Sequence, residues 1–455
     1  MAERADVVVL GLGPGGEEVA GRLAEAGLDV IGIESTLLGG ECPYWGCVPS
    51  KMMIRAANLL AEGRRIPGMA GASTVGADWG PVARRIRDEA TDDWDDRVAV
   101  ERFEGKGGRF VRGHGRLDGP GRVVVGDDVY EAGRAVVVAT GARPWAPPIP
   151  GLDALAGRYW TNRDAIETET VPASLVVLGG GAIGVELGQT FARFGAAVTV
   201  VEGAERVVAA EEPEASALVA EALERDGVRV VVGARITAAR AEGERVALDV
   251  EGQGPVDGDV LLVATGRRPD LGAIGAHTIG VDMGAGAIKT DGTMRVTDGV
   301  WAVGDVTGVG AFTHVAMYQA GIAVDDIVGN DPVPADYRAL SRVTFTDPEV
   351  GSVGMTEAAA RAEGLRVRTG SAPVPHSARG WIHKAGNEGV VKVVEDAERG
   401  VLVGATSAGP AGGEVLGLLT LAVHAAVPVE QLRRMIYAYP TFHRAVEDAL
   451  RDLDE

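Results

Sequence analysis

Cysteine is nearly absent: of 455 residues only Cys42 and Cys47 carry a thiol. That count excludes a small secreted scaffold held together by bridges. Both cysteines fall in one short segment, so a bridge between them closes a small loop and is better read as chemistry than as a staple. Basic charge is also scarce. Lys plus Arg number 44 against 65 for Asp plus Glu, a formal net charge of −21. Nucleic acid is excluded as the main partner, because phosphate binding needs clustered basic charge, and so is docking on an anionic membrane. No apolar run approaches the roughly 18 residues of a membrane span. An apolar strand begins at about Asp6, which leaves no room for a signal or transit peptide, so the cytoplasm is the expected location.

Glycine, in contrast, is abundant at 66 residues, clustered between apolar segments without a collagen-like period. Such usage suits tight turns and close backbone approaches, as in nucleotide-binding α/β folds. The apolar fraction is that of an ordinary globular protein, and the length predicts roughly two to four domains.

The chain repeats one pattern. Val7 to Leu10 is apolar and is followed by Gly11-Leu12-Gly13-Pro14-Gly15-Gly16, a helical stretch to Ala26, and a second apolar run from Val30 that ends at Glu34. Leu175 to Leu178, Gly179-Gly180-Gly181-Ala182-Ile183-Gly184, a helical stretch to Phe194 and Val198 to Val201 repeat it, ending at Glu202. Each copy spans 23 residues from first glycine to acid. Each is followed by a matching buried strand and turn, AVVVATG at Ala135–Gly141 and VLLVATG at Val260–Gly266. Two β-α-β units of equal spacing predict two Rossmann-like dinucleotide-binding domains. Prolines at 144, 147, 148 and 150, and the Asp331-Pro332-Val333-Pro334 run, read as linkers. The expected layout is 1–148 and 271–335 for the first dinucleotide domain, 149–270 for the second, and 336–455 for an α+β domain.

A Gly-x-Gly-x-x-Gly turn opening a helix can hold a pyrophosphate, because glycine lets the backbone approach and the helix N-terminus supplies N–H groups and dipole. Glu34 and Glu202 stand where a carboxylate binds ribose hydroxyls. A carboxylate at 202 accepts from a free 2′-OH and repels a 2′-phosphate, and only Arg206 is basic nearby, so NADH is expected over NADPH.

The most informative stretch is Gly39-Gly40-Glu41-Cys42-Pro43-Tyr44-Trp45-Gly46-Cys47-Val48-Pro49-Ser50-Lys51. Two cysteines five apart can form a strained, reducible bridge; a pair of buried thiols is the alternative. A helix predicted over Met52 to Ala61 puts Cys47 near its N-terminus, where the dipole and Lys51 favour a thiolate.

This segment resembles the GGxCxxxGCxPSK signature of the class I pyridine nucleotide–disulfide oxidoreductases, which include lipoamide dehydrogenase and mercuric reductase. The resemblance extends along essentially the whole chain. It implies FAD in the first domain, NAD(P)H in the second and a homodimer through the last. It implies that Cys42 is the thiol that attacks substrate and that Cys47 lies beside the flavin. By the same resemblance Lys51 lies near flavin N5, paired with Glu186, and Asp305 of Gly304-Asp305 binds the ribityl chain. Thr313 would open a helix toward the flavin pyrimidine. Gly15, Gly40, Gly115, Thr140, Gly141 and Gly266 complete the implied cofactor contacts, and no metal is implied.

The C-terminal motif departs from the family. Where the disulfide reductases carry HPTxxE, this chain reads Tyr439-Pro440-Thr441-Phe442-His443-Arg444. Tyrosine is a poor base near neutral pH but a usable hydrogen-bond donor. His443 and Glu447, four apart on a predicted helix, could form a relocated dyad, or could be an ordinary surface pair. Tyrosine here resembles mercuric reductase, but there is no third cysteine, and soft metals need thiolates. His376 and His383 flank Trp381 in an expected loop without metal-ligand spacing. The expected function is transfer of electrons from NADH through FAD and the Cys42–Cys47 disulfide to a small-molecule disulfide. The alternatives are a quinone-type or mercuric reductase-like enzyme and, from another class, a redox-silent FAD/NADH-binding sensor or subunit.

Overall fold

The structure is a computed structural model and describes residues 2–453. The chain divides into two compact units. One runs to Ser50 and resumes over Arg84–Trp145 and Arg267–Asp336; the other holds Lys51–Ala83, Ala146–Gly266 and the chain from Tyr337 onward.

The first unit is built on a mainly parallel sheet. Glu3–Leu10 lies between Val30–Glu34 and Asp128–Val138, parallel to both, and Val300–Ala302 and Arg109–Arg112 extend it on either side. Val7 to Val9 and Val136 to Val138 are fully buried, as expected for strands covered on both faces. Helices Pro14–Glu25 and Thr313–Val328 cover one face, where Val19, Leu23, Ala320 and Ala323 meet Val7 and Val9.

The second unit contains a four-stranded parallel sheet ordered Arg229–Val231, Ala197–Val201, Ser174–Leu178, Val260–Val263. It also contains a five-stranded antiparallel sheet, in which Glu349–Gly354, Val401–Gly409 and Val390–Asp396 form the centre. Helices Gly412–His424 and Arg444–Asp452 pack on that sheet through Leu416, Leu419, Ala449 and Leu450. The expected α/β architecture with a C-terminal α+β domain is observed. Among the described residues no helix is long and apolar enough to cross a membrane.

Two local expectations change. The helix predicted from Met52 begins at Cys47 and runs to Arg65; Pro49 does not delay it, because a proline in the first turn removes no helical hydrogen bond. The expected loop around Trp381 is a short helix, Ala378–His383, capped by the Ser377 hydroxyl accepting from Gly380 N–H.

Candidate active site

The two glycine turns have the same internal wiring. In the first, Glu34 Oε2 accepts from Leu12 N–H at 2.9 Å and its Oε1 from Thr36 N–H at 2.8 Å. In the second, Glu202 Oε2 accepts from Gly180 N–H at 2.5 Å and its Oε1 from Ala204 N–H at 2.7 Å. Gly11 at φ +92° and Gly179 at φ +109° adopt a backbone that favours glycine, and a Cβ on either would lie 2.5 Å from the carbonyl oxygen of Ala139 or Ala264. The matching ATG segments therefore seal the backs of the two turns. Gly16 and Gly184 are equally forced: a Cβ there would come within 2.0 Å of the Gly11 or Gly179 oxygen.

The front of each turn is open. A Cβ on Gly13 or Gly181 would meet nothing within 4 Å, and neither residue caps its helix with a side chain. The first-turn N–H groups of both helices are thus left for an external acceptor, so both turns fit a dinucleotide pyrophosphate. Over the first turn a cavity is lined by Gly11, Glu34, Gly115, Thr140, Gly141 and Arg143. Gly115 packs closely, since a Cβ there would lie 2.4 Å from Leu10 Cδ1 and that side chain would have to move. Gly266, at φ +110°, ends the second ATG turn.

The redox segment is keyed to the first turn. Gly40 sits at φ +68°, and a Cβ there would lie 2.7 Å from Gly13 Cα. Cys42 lies on the short helix Glu41–Tyr44, and Cys47 is the first residue of its helix. Both are thiols in this structure. Thr313, opening the Thr313–Val328 helix, places its hydroxyl 3.4 Å from Cys47 Sγ. The hydrogen bond to Cys47, burial and the charge of Cys47 push the Cys42 thiol well above its ordinary range, and a hydrogen bond from Thr313 works against them.

Asp305 follows Gly304, whose N–H donates to Gln319 Oε1 at 2.7 Å. Arg267 Nη1 reaches Glu41 Oε2 at 3.4 Å, and its Nε lies 4.0 Å from Asp305. Burial pushes the Asp305 carboxyl above the usual carboxylate range, Arg267 opposing and Glu41 adding to the push. Neither Gln319 nor Arg267 is marked by a local motif.

In the second unit Lys51 Nζ pairs with Glu186 Oε2 at 3.0 Å, as the spacing-independent resemblance implied. The C-terminal residues are arranged differently from a relocated dyad. His443 precedes the Arg444–Asp452 helix. Glu447 is held by Arg444 at 3.2 Å and by Arg451, and not by His443. Tyr439 is 70% exposed, and the Arg444 guanidinium carbon lies 5.7 Å from its ring centroid. Among the described residues no three His, Cys, Asp or Glu side chains converge as metal ligands.

The chain matches the family described as pyridine nucleotide-disulphide oxidoreductase over residues 5–320, and that family's dimerisation domain over residues 340–450. It is 34% identical over 464 residues to a dihydrolipoyl dehydrogenase of Chlorobaculum tepidum, covering 99% of this chain and 97% of that one. It is 31% identical over 457 residues to a mercuric reductase of Bacillus cereus, covering 99% of this chain and 72% of that one. Among solved structures, the HOCl-induced flavoprotein disulfide reductase RclA of Escherichia coli superposes with a TM-score of 0.84 at 25% identity over 98% of each chain. LpdA of Mycobacterium tuberculosis superposes with a TM-score of 0.85 at 26% identity, covering 99% of this chain and all of that one. With both glycine turns, the cysteine pair and the dimerisation domain accounted for, the chain belongs to the pyridine nucleotide–disulphide oxidoreductase family: it is a flavin-dependent enzyme that uses FAD and NAD(H) to move electrons between a nicotinamide and a disulfide.

Proposed function

We propose that this enzyme is a homodimer that reduces a small-molecule disulfide with NADH, in the net reaction NADH + H⁺ + RSSR → NAD⁺ + 2 RSH. The observation that carries this reading is the thiol pair, with Cys47 at a helix start against Thr313 and Cys42 on the short helix before it. Residues 1–148 and 271–335 would hold FAD through Gly11, Gly13, Gly15, Gly16, Glu34, Gly40, Gly115, Thr140, Gly141, Asp305 and Thr313, with Lys51 assigned to it by the family resemblance. Residues 149–270 would hold NADH through Gly179, Gly181, Gly184, Glu202 and Gly266. FAD, when bound, supplies the two-electron relay between nicotinamide and disulfide.

The residues supply the rest. Cys42, half-buried and given this role by the family resemblance, attacks one sulfur of the acceptor as its proton passes to the departing thiolate; Cys47 then attacks the Cys42 sulfur of the mixed disulfide, releases the second substrate thiolate and closes the Cys42–Cys47 bridge. Tyr439, an exposed residue, would donate a proton to the leaving thiolate, a role favoured over His443 because Glu447 is already engaged by two arginines. NADH is favoured over NADPH because the Glu202 carboxylate would repel a 2′-phosphate, while Arg206, the one basic residue near it in sequence, turns its Nη2 to the carbonyls of Ala209 and Glu211 at 2.8 Å. Exposed Ile436, Trp381 and Leu421 on residues 336–455 supply apolar surface for a second copy. A thiol pair that must cycle fits the reducing cytoplasm.

Anaerobic titration with NADH tests the reading. A long-wavelength absorbance band that is stable at two electrons, and consumed on adding a disulfide, is the expected result. Cys42→Ser should abolish disulfide reduction and leave bleaching by NADH intact. Bleaching without the band, or full disulfide turnover by Cys42→Ser, refutes the thiol relay.

A further inference from the structure

One residue touches both members of the Lys51–Glu186 pair. Phe345 N–H donates to Glu186 Oε1 at 2.8 Å, leaving Oε2 to meet Lys51 Nζ at 3.0 Å. The Phe345 ring centroid lies 4.6 Å from the same Nζ. Lys51 is therefore bounded by a carboxylate oxygen and by the negative face of an aromatic ring. Glu186 is 5% exposed, so its orientation is decided by these two donors and not by water.

The loop that carries Phe345 is itself held. Gln189 Oε1 accepts from Asp347 N–H at 2.8 Å, and Gln189 Nε2 donates to Asp347 O at 3.0 Å. The Asp347 carboxylate meets Arg193 Nη2 at 2.8 Å and Arg65 Nη2 at 2.6 Å. Glu186, Gln189 and Arg193 share one face of the Ala182–Arg193 helix. That face grips Phe345 and Asp347, so the ring cannot drift relative to Glu186. A lysine on a flexible four-carbon stem with one carboxylate partner samples many geometries. The ring removes that freedom on the side that Glu186 leaves open.

We propose that Phe345 is a positioning residue of the redox centre: its N–H orients Glu186 and its ring holds the Lys51 ammonium in one place. The inference rests on the reading that Lys51 serves the flavin, and the test separates the two. Phe345→Leu keeps the backbone N–H and removes the π face; Phe345→Tyr restores it; a pentafluorophenyl ring at 345 keeps the shape and reverses the charge of the face, so it covers the case in which Phe345→Leu fails to fold. In the FAD-loaded protein, competitive acetylation of lysines, read by mass spectrometry, should show Lys51 labelling about threefold faster in Phe345→Leu and in the fluorinated protein, the size that a part-exposed cation–π contact supports. Lys392, 5% exposed, is the internal control and should not change. The two-electron equilibrium constant for flavin reduction should shift by about threefold in the same proteins, about 14 mV, and Phe345→Tyr should return both readouts to wild type. Unchanged Lys51 labelling in the fluorinated protein overturns the clamp. Faster Lys51 labelling with no shift in the flavin equilibrium keeps the clamp but overturns its redox role, and with it the assignment of Lys51 to the flavin.

Discussion

Removing the hydroxyl of Thr313 tests how the thiol pair is poised. Thr313→Val keeps the shape of the side chain that opens its helix and deletes the group 3.4 Å from Cys47 Sγ. The Cys42 thiol is already held high by its hydrogen bond to Cys47, by burial and by the charge of Cys47; Thr313 is the side-chain hydrogen bond that pulls it down. Deleting that pull moves the Cys42 thiol further up, so less of it is thiolate at any given pH. A hydrogen bond of this kind is worth about 1 kcal/mol, and at this partly exposed site about 0.6–1 kcal/mol is retained, equal to about threefold to fivefold in thiolate population. The assay is alkylation of Cys42 by iodoacetamide in the dithionite-reduced enzyme between pH 6 and 9, resolved by peptide mapping. Thr313→Val should alkylate Cys42 about threefold to fivefold more slowly, and Thr313→Ser should restore the rate. An unchanged or faster rate in Thr313→Val, with flavin content intact, refutes the assignment of the hydroxyl to the thiol pair.

Two further outcomes follow from the second unit. Burial alone would raise the Asp347 carboxyl, but Arg193 and Arg65 outweigh it and hold the group below its usual range. A depressed carboxylate contributes stability that is full above its unfolded pKa, about 3.9, and lost as pH falls through the folded value. Asp347→Asn leaves the Arg193 side chain, 2% exposed, with Asp226 and Asn58 as its remaining side-chain partners among the described residues, so it should cost about 3 kcal/mol, the low end of the range for breaking a buried pair. Fluorescence-detected melting should show a gap to wild type of about 3 °C, constant from pH 8 to 5 and shrinking below pH 4; a gap that already closes between pH 8 and 6 would point to a different group. For the proton donor, Tyr439→Phe should lower disulfide turnover about a hundredfold, the low end of the range for general acid catalysis, while His443→Ala changes it less than twofold; the reverse ranking in steady-state kinetics would restore His443 to the role.

The parts legible in the sequence are those whose partners are near in the chain. Gly11 to Glu34 and Gly179 to Glu202 share one spacing because each glutamate must reach the N–H just after its own first glycine. The Gly40-Glu41-Cys42 turn was readable as a motif, but the reason for its glycine, contact with Gly13, depends on the folded chain. Phe345 meets Glu186 across 159 residues, and Arg267 meets Glu41 across 226; no periodicity encodes such pairs. The same-face spacing of His443 and Glu447 was sound geometry, yet Arg444 and Arg451 lie three and four positions from Glu447 and win it with permanent charge. Thr313 was readable as a helix opener, and its contact with Cys47 was not.

The grip of the Ala182–Arg193 helix on Phe345 and Asp347 has a consequence for how such enzymes diversify. The C-terminal segment is fastened through Phe345 and Asp347, through Arg342 to Glu211 and through Lys392 to Glu212, a network that does not involve Tyr439, His443 or Arg444. Substitutions in that distal motif can accumulate without loosening Lys51 and Glu186. The C-terminal motif is thereby mechanically separate from the Lys51–Glu186 pair: a side-chain change at 439 can alter how an acceptor is handled while the geometry that serves the nicotinamide side stays as it is.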